Sequence, residues 1–112
     1  MTTQELESLS WKLRADVADI IMAGGRGHIG GDMSVLNALL VLYKNHLHIT
    51  PATVDDPDRD RFVLSKGHAM ESYYAVLADC GFLDLEGCSP FLRTRDSSQR
   101  RNCAAFLLWV AC

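Results

Sequence analysis

The sequence predicts an α/β fold, mainly helical in this chain, in the order helix, glycine loop, helix, strand, helix. Three observations carry that reading. Apolar residues recur at steps of three and four over residues 6–21, and a second dense apolar stretch covers residues 35–43, the spacing and density of buried helix faces. Five glycines in the eight residues 24–31 separate the two stretches. A short apolar run, Phe62-Val63-Leu64, then passes through a glycine-histidine turn into another helical stretch, the strand-to-helix unit of parallel sheets.

The first helix opens on Thr2 and Glu5, which have the spacing of a capping box. Leu6, Leu9, Leu13, Val17, Ile20 and Ile21 make its apolar stripe, and Gly24 and Gly25 end it. The glycine-rich loop that follows is costly in chain entropy, so it implies a tight turn or a close backbone approach. Asp32 or Ser34 is the expected start of the second helix, both being good N-cap residues. Val35, Leu36, Leu39, Leu40, Leu42 and Tyr43 make that helix apolar on a broad face, so it expects cover on more than one side. Pro51 marks its end or the loop beyond.

A charged turn over residues 55–61 leads into Phe62-Val63-Leu64, expected as a buried strand. The third helix is expected from Ala69 to Cys80, with Met70, Tyr73, Tyr74 and Leu77 inward and Gly81 as its cap. A single strand leaves its backbone groups unpaired, so its partners must lie elsewhere. Helical periodicity fades after about residue 84. Arg93, Arg95, Arg100 and Arg101 make a basic stretch read as exposed tail charge, and residues 102–112 are abruptly apolar. The division expected is therefore residues 1–84 as a partial domain and 85–112 as a divergent tail.

Composition narrows the classes. The chain has 112 residues, 48% hydrophobic and 22% charged, with a net charge of -3, ordinary for one globular domain. The charge argues against a nucleic-acid footprint, which requires a basic face. The N-terminus is polar and lacks the basic start and apolar core of a secretory signal. No apolar run approaches the ~20 residues of a membrane span, so a cytoplasmic location is expected. Cys80, Cys88, Cys103 and Cys112 contain no CxxC spacing and read as reduced thiols.

Two histidines stand out by their setting. His28 lies in Gly27-His28-Ile29-Gly30-Gly31, and His68 follows Ser65-Lys66-Gly67. Ligands of open parallel sheets gather where strands end and helices begin, and backbone N–H groups at helix starts favour anions. Lys66 and His68 thus stand where a phosphate would sit. An imidazole there can donate, accept or move a proton. The residues alone equally allow a structural, loop-capping histidine and a plain exposed lysine. His46 and His48 flank Leu47 as an HxH pair and read as solvated side chains rather than metal ligands.

Five blocks in order carry a family resemblance. They are Gly27-His28-Ile29-Gly30-Gly31, Val41-Leu42-Tyr43, Pro57-Asp58-Arg59-Asp60-Arg61-Phe62, Val63-Leu64-Ser65-Lys66-Gly67-His68 and Tyr74-Ala75-Val76-Leu77. In order and spacing they resemble the N-terminal section of transketolases, most of all the separate N-terminal subunits of two-chain members, over about residues 8–83. The resemblance implies the N-terminal fragment of a thiamine-diphosphate-binding fold. It implies transfer of a two-carbon ketol unit between sugar phosphates, with thiamine diphosphate and Mg²⁺ as cofactors. It also implies a partner, a C-terminal transketolase subunit or a second copy. By position His28 resembles the catalytic loop histidine that faces substrate and the reactive thiazolium carbon. His68, with Lys66 and Gly67, resembles the turn beside the cofactor diphosphate. Asp60 and Arg61 match family positions that we read as structural.

The family's metal motif, Gly-Asp-Gly with a later Asn, and the Gly-Ser-Leu-Gly block before it do not occur in this sequence. The expectation is therefore a chain inactive alone, marginally stable, with a tail arising from a frameshift or premature end. Other readings stay open: a working half completed by another chain, half of a related thiamine-diphosphate synthase or E1-type dehydrogenase, or a small non-catalytic interaction module.

Overall fold

A computed structural model describes residues 1–24 and 28–82. Within them three α-helices run Thr3–Gly24 (α1), Ile29–Val41 (α2) and Met70–Asp79 (α3). A π-helical turn, Leu42–His46, extends α2, and 3₁₀ turns form at Pro51–Thr53 and Gly67–Ala69. Each α-helix packs on the other two.

The capping box forms as its spacing predicts. Glu5 N–H donates to Thr2 Oγ1 (3.2 Å) and Thr2 N–H donates to Glu5 Oε2 (2.7 Å). From there Leu13 and Val17 reach full burial, with Leu6, Leu9 and Ile21 packed beside them. Helix α2 contributes Leu36, Leu39 and Leu40, and α3 the consecutive buried residues Ser72, Tyr73, Tyr74, Ala75, Val76 and Leu77. Its end is a Schellman turn: Gly81 takes φ +86°, Gly81 N–H donates to Ala78 O (3.1 Å) and Phe82 N–H to Leu77 O (2.9 Å).

The far end of the core is aromatic. Tyr43 lies 5.9 Å from Phe62, 6.0 Å from Tyr73 and 6.1 Å from Phe82, ring centre to ring centre. The Tyr43 and Tyr73 hydroxyls share a buried hydrogen bond of 2.7 Å. Burial first, and this bond second, hold the Tyr43 phenol far above its ordinary pKa. Asp60 fastens the intervening loop, accepting His48 N–H at Oδ2 (2.7 Å) and donating its own N–H to His48 O (3.3 Å), and Arg61 donates to Pro57 O (3.3 Å). Both residues thus bond within the loop region between α2 and α3.

Three expectations need correction. The buried strand at Phe62-Val63-Leu64 is not formed: residues 60–66 carry no ladder, and Val63 is 66% exposed while Phe62 and Leu64 pack on the core. A strand requires a neighbouring backbone to pair with, and the described residues supply none. Helix α2 begins at Ile29 rather than at Asp32 or Ser34, and α3 at Met70 behind a 3₁₀ turn rather than at Ala69. The apolar faces of the three helices close on one another; Trp11, Met22, Ile29, Val41 and Val63 are among the large apolar residues left exposed among the described ones. The divergent tail at 85–112 and the loop residues Gly25, Arg26 and Gly27 lie outside the described residues.

Candidate functional site

The start of α2 and the turn before α3 meet, and the residues singled out in the sequence meet with them. His28 is the residue before the first turn of α2 and makes no side-chain cap bond. His68 sits in the middle of the 3₁₀ turn that Gly67 opens. Both side chains are exposed, and their ring centres lie 5.3 Å apart at a tilt of 57°. Lys66, half-buried, donates to Gly31 O (3.2 Å) and Ser34 Oγ (2.7 Å), using two of an ammonium's three donors. It therefore ties the turn before α3 to the first residues of α2, across a sequence separation of 35.

Glycine has two different uses here. A Cβ on Gly31 would stand 2.8 Å from His68 Cδ2 and 3.0 Å from Nε2, so only glycine lets the ring lie on the backbone as it does. At Gly30 nothing stands within 4 Å of where a Cβ would be, so the helix start faces open space.

Asp32 was missed as a member of this group. Its potential as a cap was visible, but it caps a different helix. Its side chain is fully buried, and Oδ1 accepts the N–H of Ser72 in the first turn of α3 (3.0 Å), while Ser72 Oγ donates to Asp32 O (2.7 Å). Helix α3 has no cap bond from its own N-cap residue, Ala69. Asp32 thus satisfies one of the free donors of a helix start from 40 residues away. The other candidate cap, Ser34, donates to Gly31 O (2.9 Å) and accepts from Lys66. One consequence corrects the simple anion-at-helix-start picture: the Ser72 N–H is already engaged by a carboxylate. Any anion here would depend on the side chains of Lys66, His68 and His28 and on the remaining N–H groups.

His46 and His48 lie on the π-helical turn and just beyond it, apart from this pair. Among the described residues no group of three His, Cys, Asp or Glu side chains is arranged to hold a metal, and no helix is long and apolar enough to cross a membrane. A separate cleft of about 710 Å³ lies between α1 and α2. Trp11, Arg14, Asn37 and Val41 are on its walls, and it shares no residue with the histidine pair.

The segments that meet here lie within a stretch of sequence that matches a known kind of domain. Residues 7–94 match the family described as transketolase, thiamine diphosphate binding domain, and the chain belongs to that family. It is 41% identical over 86 residues to an apulose-4-phosphate transketolase subunit of Phocaeicola vulgatus, covering 77% of this chain and 31% of that protein. Over 62 residues it is 48% identical to the ferredoxin fas2 of Rhodococcoides fascians, covering 55% of this chain and 20% of that one. Also over 62 residues, it is 44% identical to the 6-deoxy-6-sulfo-D-fructose transketolase subunit SqwG of a Clostridium species, covering 55% and 22%. The chain spans less than a third of the length of these curated relatives.

Proposed function

We propose that this chain supplies one wall of a thiamine-diphosphate site in a transketolase-type enzyme, transferring a two-carbon ketol unit between sugar phosphates, and that another chain completes the site. The observation that carries the reading is the meeting of His28, Lys66 and His68 at the starts of α2 and α3. A complete α/β domain with a mainly parallel sheet would form only with strands that the described residues do not supply.

The residues present fit the diphosphate end of the cofactor. Gly30 leaves open space beside a helix start, Gly31 admits the His68 ring, and Lys66 brings a cation to the same place. When bound, thiamine diphosphate supplies the thiazolium chemistry that stabilises a carbanion. In this chain Lys66, Gly67 and His68 would hold the diphosphate, Lys66 by charge and His68 by hydrogen bonding. His28, exposed 5.3 Å from His68, would face the substrate and exchange protons with its hydroxyl or carbonyl oxygen. Mg²⁺ does not fit the described residues, which hold no suitable group of ligands, so we assign no step to it and place its ligands outside them. Relatives named as subunits support a partner chain, a C-terminal transketolase subunit or a second copy. Alone, this chain is expected to be inactive.

Calorimetry of the chain with thiamine diphosphate and Mg²⁺, with and without a C-terminal transketolase subunit, tests this. Binding should appear with the partner present, be lost in His68→Ala, and persist in His28→Ala with turnover reduced. No binding under either condition would sink the reading.

A further inference from the structure

We propose that Asp32 is a positioning residue that sets the spacing of the His28–His68 pair; its functional meaning rests on the reading of that pair as part of the cofactor site. Asp32 bonds to both sides of the pair at once. Its N–H donates to His28 O (2.9 Å), closing the first turn of α2. Its Oδ1 and carbonyl oxygen together hold Ser72, four residues after His68. The Lys66 contacts add a second tie, from α2 to the turn before α3.

A simple cap does not account for the residue type. Asp32 is 0% exposed, and its Oδ2 has no hydrogen-bond partner among the described residues. A buried, unpartnered carboxylate oxygen is costly, and an exception of that kind calls for a reason. The reason lies in its surroundings. Asp32 belongs to the first turn of α2 and accepts from the first turn of α3, and helix starts favour negative charge. The carboxylate draws two helix N-termini toward a single point. Each of those ends carries a histidine, so the ring separation follows from that convergence. Gly31, the residue before, supplies the clearance that lets His68 close onto α2.

Histidine-ring NMR on the full chain tests this without any ligand. His28, His68, His46 and His48 are assigned by single His→Gln variants. The wild type should show a ring-to-ring Overhauser cross-peak between His28 and His68. Asp32→Ala should lose it, while His46 and His48, at the other end of α2, keep their chemical shifts. Asp32→Asn retains an acceptor for Ser72 N–H and should restore the cross-peak. Persistence of the cross-peak in Asp32→Ala overturns the proposal. So does a change in all four histidines together, which would make Asp32 a general core residue. Should Asp32→Ala fail to fold, Ser72→Ala decides: it removes only the hydroxyl bond to Asp32 O, and should weaken the cross-peak with His46 and His48 unmoved. An unchanged Ser72→Ala spectrum overturns the idea. Absence of thiamine diphosphate binding would count against the proposed function alone.

Discussion

Helix α1 and helix α3 face the same problem at their first turns and meet it differently. Both leave backbone N–H groups without helical partners. α1 satisfies them locally, with Thr2 and Glu5 three residues apart. α3 has no polar side chain at its N-cap and is capped by Asp32 from another helix. The local cap forms whenever that segment turns helical. The distant one exists only when α2 and α3 are packed. The histidine pair lies beside the second kind of cap, so its geometry depends on the whole core.

Breaking the packing should separate the two most sharply. Leu36, fully buried one turn after Asp32, becomes a cavity in Leu36→Ala, at a cost of about 2–5 kcal/mol. Urea titration should show that loss, with the His28–His68 contact disappearing while the Thr2–Glu5 cap, which is local to its own segment, still forms. In the aromatic part of the core, Tyr43→Phe removes the buried bond to Tyr73 and should cost about 1–3 kcal/mol. It should also change the alkaline response. Because the folded Tyr43 phenol is raised above its unfolded value, its stabilising contribution is complete below about pH 10 and declines as pH rises beyond it. Tyr43→Phe should flatten that decline in melts taken on either side of about pH 10.

The local cap should give a smaller effect. Thr2→Ala should lower stability by about 1 kcal/mol and leave the histidine contact intact. Glu5 supplies a pH test. Hydrogen bonds from the Thr2 backbone first, and from its side chain second, hold the Glu5 carboxyl below the usual range. Its contribution is therefore present above the ordinary carboxylate pKa of about 4.3 and lost as pH falls through the lowered value. Glu5→Gln should remove that part of the acid-induced loss of helicity seen by circular dichroism. The smallest change in stability is expected for Gly31→Ala, within about 1 kcal/mol of zero, since alanine favours helix where glycine does not. Yet its Cβ would stand 2.8 Å from the His68 ring. The Overhauser contact between the histidines should weaken even though the melting curve scarcely moves.

What was legible in the residues was what neighbours in sequence decide. The Thr2–Glu5 cap, the stripe through Leu13 and Val17, and the Gly81 stop of α3 all formed as read. Periodicity did not reveal that six consecutive residues of α3 are buried, because a stripe describes one covered face and α3 is covered on several. Phe62-Val63-Leu64 has strand composition, but without a pairing backbone it is no strand among the described residues. The candidate residues His28, Lys66 and His68 were legible from their glycine-rich settings and family blocks, whereas Asp32 and Ser72 were not. Nothing local distinguishes an aspartate that caps its own helix from one that caps another.

The sequence by itself determined three helical segments, the glycine segments before two of them, and membership of the transketolase thiamine-diphosphate-binding family. Only the tertiary structure decided that α2 lies against both other helices and that Asp32 reaches Ser72. It also decided that Lys66 ties back to Gly31 and that two histidines far apart in the chain stand with ring centres 5.3 Å apart. The physical reason is range. Helix spacing and caps act over three or four residues, whereas the pairing of distant polar groups follows from how buried apolar faces pack.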